Sequence, residues 1–289
     1  MVAYLTAQPV ASKEHVSVFK YQKGELIYKK ILDLYASGTD RVLLRTGSDE
    51  KTDLRIHLFL PVNGGAGAST VAKAFAMKAA REKRVLYLNL EIFGDCENVI
   101  KGEGELSFYE ILYALKSSRG NLAIKLESAL KKSREGVYYY APCKNPDDLL
   151  GLTQDEFSRL VAEMKKSGMF DEIVLDMDIF PSPWMLAALM EADRIWLVAD
   201  GTEESAVKYR KFWEFILDRE EKEQLRLRSK MKVFYNQYRS KTGKTIDDCK
   251  LEVAGGSPRY EGLEEKDIVR RMASARHFRA ERFCLNCYI

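Results

Sequence analysis

No window of the 289-residue chain approaches the ~18 consecutive apolar residues that a membrane-spanning helix needs. The first residues, MVAYLTAQPVASKEHVSVF, do not place an apolar stretch behind a run of basic ones, as an export signal does. Neither a membrane span nor secretion is expected. Excess charge is also missing: 46 basic and 43 acidic residues leave a net +3, so bulk charge implies no polyanion partner, and any basic patch must be local. Five scattered cysteines, an odd number, do not make a disulfide framework and point to a reducing cytoplasm. Internal repeats and low-complexity tracts are absent. What remains, 46% hydrophobic and 31% charged, is enough to bury a large core in one α/β domain, or in a main domain with a small appendage.

The stretch from Arg55 to Ala80, RIHLFLPVNGGAGASTVAKAFAMKAA, joins an apolar strand, a glycine-rich bend and an amphipathic helix. That order is the frame of a phosphate-binding P-loop. Successive backbone N–H groups and a helix N-terminus point at a phosphate chain, a lysine adds a mobile positive charge, and a hydroxyl residue holds Mg²⁺. Gly64, Gly65, Ala66 and Gly67 make the bend and Ser69 and Thr70 supply hydroxyls, but the position that needs lysine holds Ala68. Two readings stay open: a cradle without its charge, or a tight strand-to-helix turn that binds nothing.

From Leu54 onward apolar strands alternate with helices of about 10 to 15 residues. Strands are expected at 56–60, 84–90, 136–140, 171–176, 194–199 and 231–235, and helices at 69–82, 107–116, 122–132, 154–167, 184–191, 203–218 and 264–282. The alternation predicts an α/β fold with a doubly wound, mostly parallel sheet and helices on both faces. Residues 1–50 read differently. Strands at 2–5 and 16–19 and a helix at 24–36, with Ile27, Ile31, Leu34 and Tyr35 on its apolar side, bury too little to fold alone. They are expected to dock on the domain of residues 51–289, or to be the tail end of a larger domain.

Asp176 ends the strand Ile173-Val174-Leu175, where an aspartate can hold Mg²⁺ through water opposite Ser69, and Asp178 lies two residues on. Glu91 and Asp95 follow the strand that ends at Leu90, so all four acids belong at the carboxyl edge of the sheet, where open α/β folds bind ligands. Singly, each also reads as a strand-end cap or a solvated acid. Asn236, directly after Val233-Phe234-Tyr235, can pair with adenine through its amide or form a turn. Gly255-Gly256-Ser257-Pro258-Arg259 reads as a bend able to close over a base. The last helix carries Arg270, Arg271, Arg276, Arg279 and Arg282, which suit an anionic membrane surface or DNA, or form the solvated face of a packed helix. Cys284 and Cys287 form a C-x-x-C with no second ligand pair nearby, so free thiols rather than zinc are expected.

GGAGAST, LNLEIFGD, EIVLDMD, PSPW followed by EADRIWLVAD, FYNQY and GGSPRYE occur in the order and spacing of the MinD/ParA superfamily of deviant P-loop ATPases, which the chain resembles from Leu54 to Ile289. The FGD after the second strand and the Pro-Ser-Pro-Trp before the AD-R strand are most similar to the CpaE/TadZ branch, associated with type IV (Tad) pilus assembly and positioning. VFKYQ and the helix after it resemble the last strand and helix of the receiver-like domain that precedes the ATPase domain in that branch, making residues 1–50 a receiver-like remnant.

The resemblance implies ATP and Mg²⁺ as cofactors. It puts Gly64, Gly65, Ala66, Gly67, Ala68, Ser69 and Thr70 around the phosphates, and Ser69 and Asp176 on the metal. Glu91 takes the place of the aspartate that helps position attacking water, Asn236 stands at the adenine-reading position, and Pro258 and Arg259 lie in the bend over the base. It implies a cytoplasmic homodimer with pilus or secretion assembly proteins as partners, recruited to the inner membrane or cell pole by peripheral contact; DNA is not the expected partner. The departures fall on charge. Asn63 stands where the superfamily's signature lysine reaches across the dimer, and Ala68 where the P-loop lysine sits. Such charges stabilise the transition state of phosphoryl transfer, and losing one electrostatic donor costs roughly a hundred- to a thousandfold in rate. Lys73, one turn into the helix, is a candidate substitute for the missing charge, but its side chain is expected along the helix flank. The expectation is a positioning or scaffold protein with a degenerate ATP site, a pseudo-ATPase. A slow ATPase cycling between monomer and dimer, and a ParA-like DNA-partitioning ATPase, are the alternatives.

Overall fold

The computed structural model describes residues 3–7, 16–38, 54–117, 121–239, 243, 245, 246 and 250–275. Eight strands form one sheet. In chain order they are β3 (Arg55–Pro61), β4 (Val85–Asn89), β5 (Lys131–Lys132), β6 (Tyr138–Tyr139), β7 (Glu172–Asp176), β8 (Arg194–Ala199), β9 (Met231–Tyr238) and β10 (Glu252–Pro258). Their spatial order is β10-β9-β8-β3-β7-β4-β6-β5, parallel throughout except for β5, which runs antiparallel to β6. β3 is central, between β7 and β8, and the chain leaves it to opposite sides of the sheet. The carboxyl end of β3 is thus a switch point, where such sheets open a crevice.

The strands read as unbroken apolar runs because both faces are covered. Alternate residues separate cleanly. Ile56, Leu58, Leu88, Leu175 and Leu197 enter one core with helices α3 (Phe108–Ser117), α4 (Leu122–Ala129), α6 (Gln154–Ser167), α7 (Met185–Glu191) and α8 (Glu203–Glu223). Phe59, Tyr87, Val174, Trp196 and Phe234 enter the other with α2 (Ala68–Ala79) and α9 (Glu265–Ser274). By this parity Asp176, two residues beyond Val174, comes to the α2 face. His57 shares it and packs against Phe75, with a ring separation of 4.7 Å. The Trp196 indole donates to His57 Nδ1 at 3.3 Å, so the imidazole proton sits on Nε2, 3.9 Å from the buried Glu172.

At the N-terminal end β1 (Ala3–Thr6) and β2 (Val16–Phe19) form a parallel pair, followed by α1 (Gly24–Gly38). α1 packs on α4: Lys125 Nζ donates to the Asp33 carboxylate and carbonyl, and the Tyr28 hydroxyl to Glu127 at 3.2 Å. The expected α/β architecture is present, with local corrections, one being that the helix expected at 264–282 ends at Ser274, where Ala275 turns extended at ψ 133°. Gly255 to Pro258 are not a bend but the end of β10, since glycine at 256 lets the strand approach β9 so closely that a β-carbon would lie 2.7 Å from the Tyr235 carbonyl oxygen. The helix expected to reach residue 132 stops at Ala129, where Leu130 turns extended at ψ 126°, and β5 begins. A short helix, α5 (Asp147–Leu150), stands in the stretch left as loop. α8 runs five residues past its expected end, to Glu223. Arg276, Arg279, Arg282, Cys284 and Cys287 lie outside the described residues.

Candidate functional site

β3 ends at Pro61 and the chain turns through residues 62–67 into α2. Gly65 and Gly67 sit at φ 79° and 78°, left-handed backbone that a β-carbon disfavours. Gly67 is the N-cap of α2 and no side chain closes that end. The first-turn N–H groups of Ala68, Ser69 and Thr70 therefore have no intrahelical partner, and their partial positive charge is open to an anion.

The loop's carbonyls are held from behind by β9. Asn236 Nδ2 donates to Ala66 O at 2.8 Å and to Gly67 O at 3.4 Å, and Gln237 Nε2 donates to Gly65 O at 3.0 Å. The Asn236 Oδ1 accepts from Ser257 Oγ at 2.8 Å, which ties β10 into the same clamp. Gln237 adopts φ 55°, costing about 1 kcal/mol or more for a side chain of this kind, and the clamp offsets it. Because the C=O and N–H of a trans peptide point in opposite directions within its plane, carbonyls turned toward β9 leave amides turned away from it.

Beneath the loop, one hydroxyl joins two carboxyls. Ser69 Oγ lies 2.9 Å from Glu91 Oε1 and 3.2 Å from Asp176 Oδ1, and its single proton can serve only one of them at a time. The Tyr87 hydroxyl donates to the other Asp176 oxygen. Asp176 is fully buried, and burial first, then Glu91, push its carboxyl up to about 7 against the opposing pull of Tyr87, Lys73 and Ser69. Burial also raises Glu91, with Asp178 adding to it and Ser69 and Lys73 opposing. Two acids placed this way share a proton near neutrality unless a cation enters. Hard oxygen donors in this arrangement fit Mg²⁺, which Ser69 and Asp176 would hold. Asp178 accepts from the Ile92 backbone and is raised by burial. Asp95 does not join the group: it is exposed and accepts the Glu97 N–H at 2.9 Å.

The loop from 62 to 70 carries no cation. Asn63 donates to Asp200 Oδ2 at 2.9 Å and to Gly64 O at 3.2 Å. Burial works to raise Asp200, but bonds from Thr202 and Asn63 prevail and hold it below its ordinary value. Lys73 departs from the expected flank position. It is 3% exposed, pinned between α2 and α9, with Nζ 2.8 Å from Glu265 Oε1. Pro258 ends β10, and Arg259 lines a cavity of about 380 Å³ beside the clamp with Asp200, Thr202, Gln237 and Arg239. Tyr87, Asp200, Gln237, Ser257 and Glu265 were not singled out by sequence. Asp200 and Gln237 stand at or beside strand ends on the ligand edge, a signal that would have found them; Tyr87 lies inside β4, and the reach of Glu265 to Lys73 has no counterpart in sequence.

Solved structures share this fold. A ParA family ATPase from Chlorobium tepidum TLS superposes with a TM-score of 0.59 at 14% identity, covering 76% of this chain and 98% of its own. This is the fold of the MinD/ParA P-loop ATPases. MinD from Pyrococcus horikoshii OT3, complexed with Mg-ADP, gives 0.56 at 13% identity over 76% of this chain and 94% of its own. The MinD of the Aquifex aeolicus MinC:MinD complex gives 0.54 at 18% identity over 75% and 86%. At these identities the likeness is one of fold. No family model matches the chain, and no curated protein sequence matches it. The P-loop ATPase fold accounts for the position of the glycine turn, at the carboxyl end of the central strand and facing the start of α2.

Proposed function

We propose that the chain is a nucleotide-binding positioning or scaffold protein of the CpaE/TadZ type, which holds Mg·ATP without turning it over efficiently. The observation that carries this reading is the Ser69 hydroxyl held between Glu91 and Asp176 beneath a loop of open N–H groups with no cationic side chain. The loop amides would take the phosphates, and Ser69 and Asp176 the Mg²⁺, which supplies charge neutralisation when bound. Glu91 stands close enough to orient water. Without a lysine at 63 or 68 the charge developing in phosphoryl transfer meets only neutral donors from the loop, which favours retention over hydrolysis.

Neighbours in fold support the ligand and the assembly. One is complexed with Mg-ADP, and another with its partner MinC. By analogy this chain forms a homodimer through the loop edge and meets pilus or secretion assembly proteins in the cytoplasm, at the inner membrane or the cell pole. Residues 1–50 would be the receiver-like remnant, docked through α1 on α4.

Calorimetry with Mg·ATP beside a turnover assay tests the reading. Heat of binding without turnover is expected. Turnover abolished by Asp176→Ala would replace the scaffold with a slow ATPase, and no binding at all would leave only the fold. The partition reading draws less support: Arg270 pairs with Glu135 at 3.0 Å and Arg271 lies over the Tyr260 ring. Salt-sensitive DNA binding lost on removing both arginines would revive it.

A further inference from the structure

Lys73 follows Ser69 by four residues, so the two share a face of α2, and a helical side chain leans back toward the N-terminus. The Lys73 side chain is buried on the face of α2 that Ser69 also occupies, with Nζ on Glu265. Its charge reaches Glu91 and Asp176 as well as the Glu265 it contacts. A lysine this buried is held by a fixed anion, and here Glu265 is the one in contact with it. The second oxygen of Glu265 accepts from Asn98 Nδ2 at 2.8 Å.

Glu265 is also the first residue of α9. The far end of that helix is fastened to α2 too, through Lys78 Nζ on the Ala275 carbonyl at 2.6 Å. Two lysines of the loop's own helix thus hold both ends of α9, and the one at the N-terminal end of α9 follows Ser69 by one turn of α2.

We infer that Lys73 is the cation of the phosphate site, stored in an ion pair with Glu265 until a polyphosphate enters the loop, and that its transfer to the phosphate loosens the start of α9. This rests on the reading of the loop as a nucleotide site. A phosphate chain is the stronger anion, and an ammonium on a flexible four-carbon stem exchanges partners without backbone movement. The charge absent at 63 and 68 is then supplied from one turn inside the helix, and occupancy of the loop is reported to the C-terminal helix.

Hydrogen exchange on the wild-type chain with and without Mg·ATP, joined to calorimetry, tests this. Mg·ATP is expected to slow exchange at 62–70 and to speed it at 264–275. Lys73→Met should weaken Mg·ATP binding about tenfold or more, as loss of a charged hydrogen bond does, while Lys73→Arg retains part of the affinity. Glu265→Gln, which frees the lysine, should bind at least as tightly as wild type and show no further loosening of α9. The exchange measurement needs no variant, so it stands even if Lys73→Met does not fold. Unchanged exchange at 264–275 in a protein whose loop is protected overturns the transfer, and Lys73→Met binding within about twofold of wild type overturns the role of the lysine; both leave the nucleotide site intact. A wild-type chain with neither heat nor loop protection overturns the nucleotide reading, and the inference with it.

Discussion

The amide Nδ2 of Asn236 and the carbonyl oxygen of Ala66 lie 2.8 Å apart, although 170 positions separate the two residues. The bond fixes the loop's orientation from the strand beside it, and the same amide sets what residue 67 can be. A β-carbon on Gly67 would stand 2.4 Å from Asn236 Nδ2, on backbone at φ 78°.

Gly67→Ala is expected to destabilise the chain by about 2 kcal/mol through strain and clash. Asn236→Ala costs roughly 1–3 kcal/mol because it leaves loop carbonyls without their donor. Since the second change removes the atom the first collides with, the double variant should lose less than the sum of the two. Denaturant unfolding of the four proteins measures the coupling, and strict additivity would refute the clash.

Ala68→Lys returns a mobile charge to the loop. Mg·ATP should bind about tenfold more tightly in calorimetry, the gain of one charged hydrogen bond. Equal affinity would mean that the cradle does not face the phosphates.

The raised pKa of Asp176 sets a pH dependence. Its carboxyl ionises near 3.8 in the unfolded chain and at about 7 in the folded one, so the native state binds the extra proton. The stability this contributes is present below pH 3.8 and is lost as pH rises through 7. Asp176→Asn, which cannot ionise, should therefore exceed wild type in stability at pH 8 by up to about 4 kcal/mol in the absence of divalent metal, with the gap closing toward pH 4. Melting both proteins across that range in chelator checks the sign, and a gap that widens toward acid would contradict it.

His57 acts in the opposite direction. Burial first, then the charges of Lys83, Arg55 and Arg194, lower its pKa from 6.5 to about 3. The unfolded chain takes up the proton that the folded chain refuses, so stability falls as pH drops below 6.5 toward 3. At pH 5 the loss is about 2 kcal/mol. His57→Phe, which keeps the ring packing against Phe75, should melt with a shallower decline between pH 7 and 5 than wild type.

The central strands were legible because burial on both faces leaves runs such as Ile173-Val174-Leu175 with nothing polar inside them. β10 was not, since Gly255, Gly256 and Pro258 are turn residues in any local reading, and only the close approach of Tyr235 makes them a strand. The same limit applied at the site. Ser69, Glu91 and Asp176 follow from the rule that ligands gather at strand ends. The bonds of Asn236 to Ala66 and of Lys73 to Glu265 join residues brought together by strand order and helix packing, which local pattern does not encode.

The two ends of the sheet have a bearing on how copies can meet. On one side β5 offers two residues running against the grain of the other strands. On the other, the register of β10 with β9 slips twice, and β10 finishes on a proline that has no N–H to give. Among the described residues neither border of this sheet presents a long straight row of unpaired backbone groups, which makes each a poor template for pairing sheet to sheet. Assembly is steered away from the borders and toward the loops and helices, surfaces whose side chains can choose a partner.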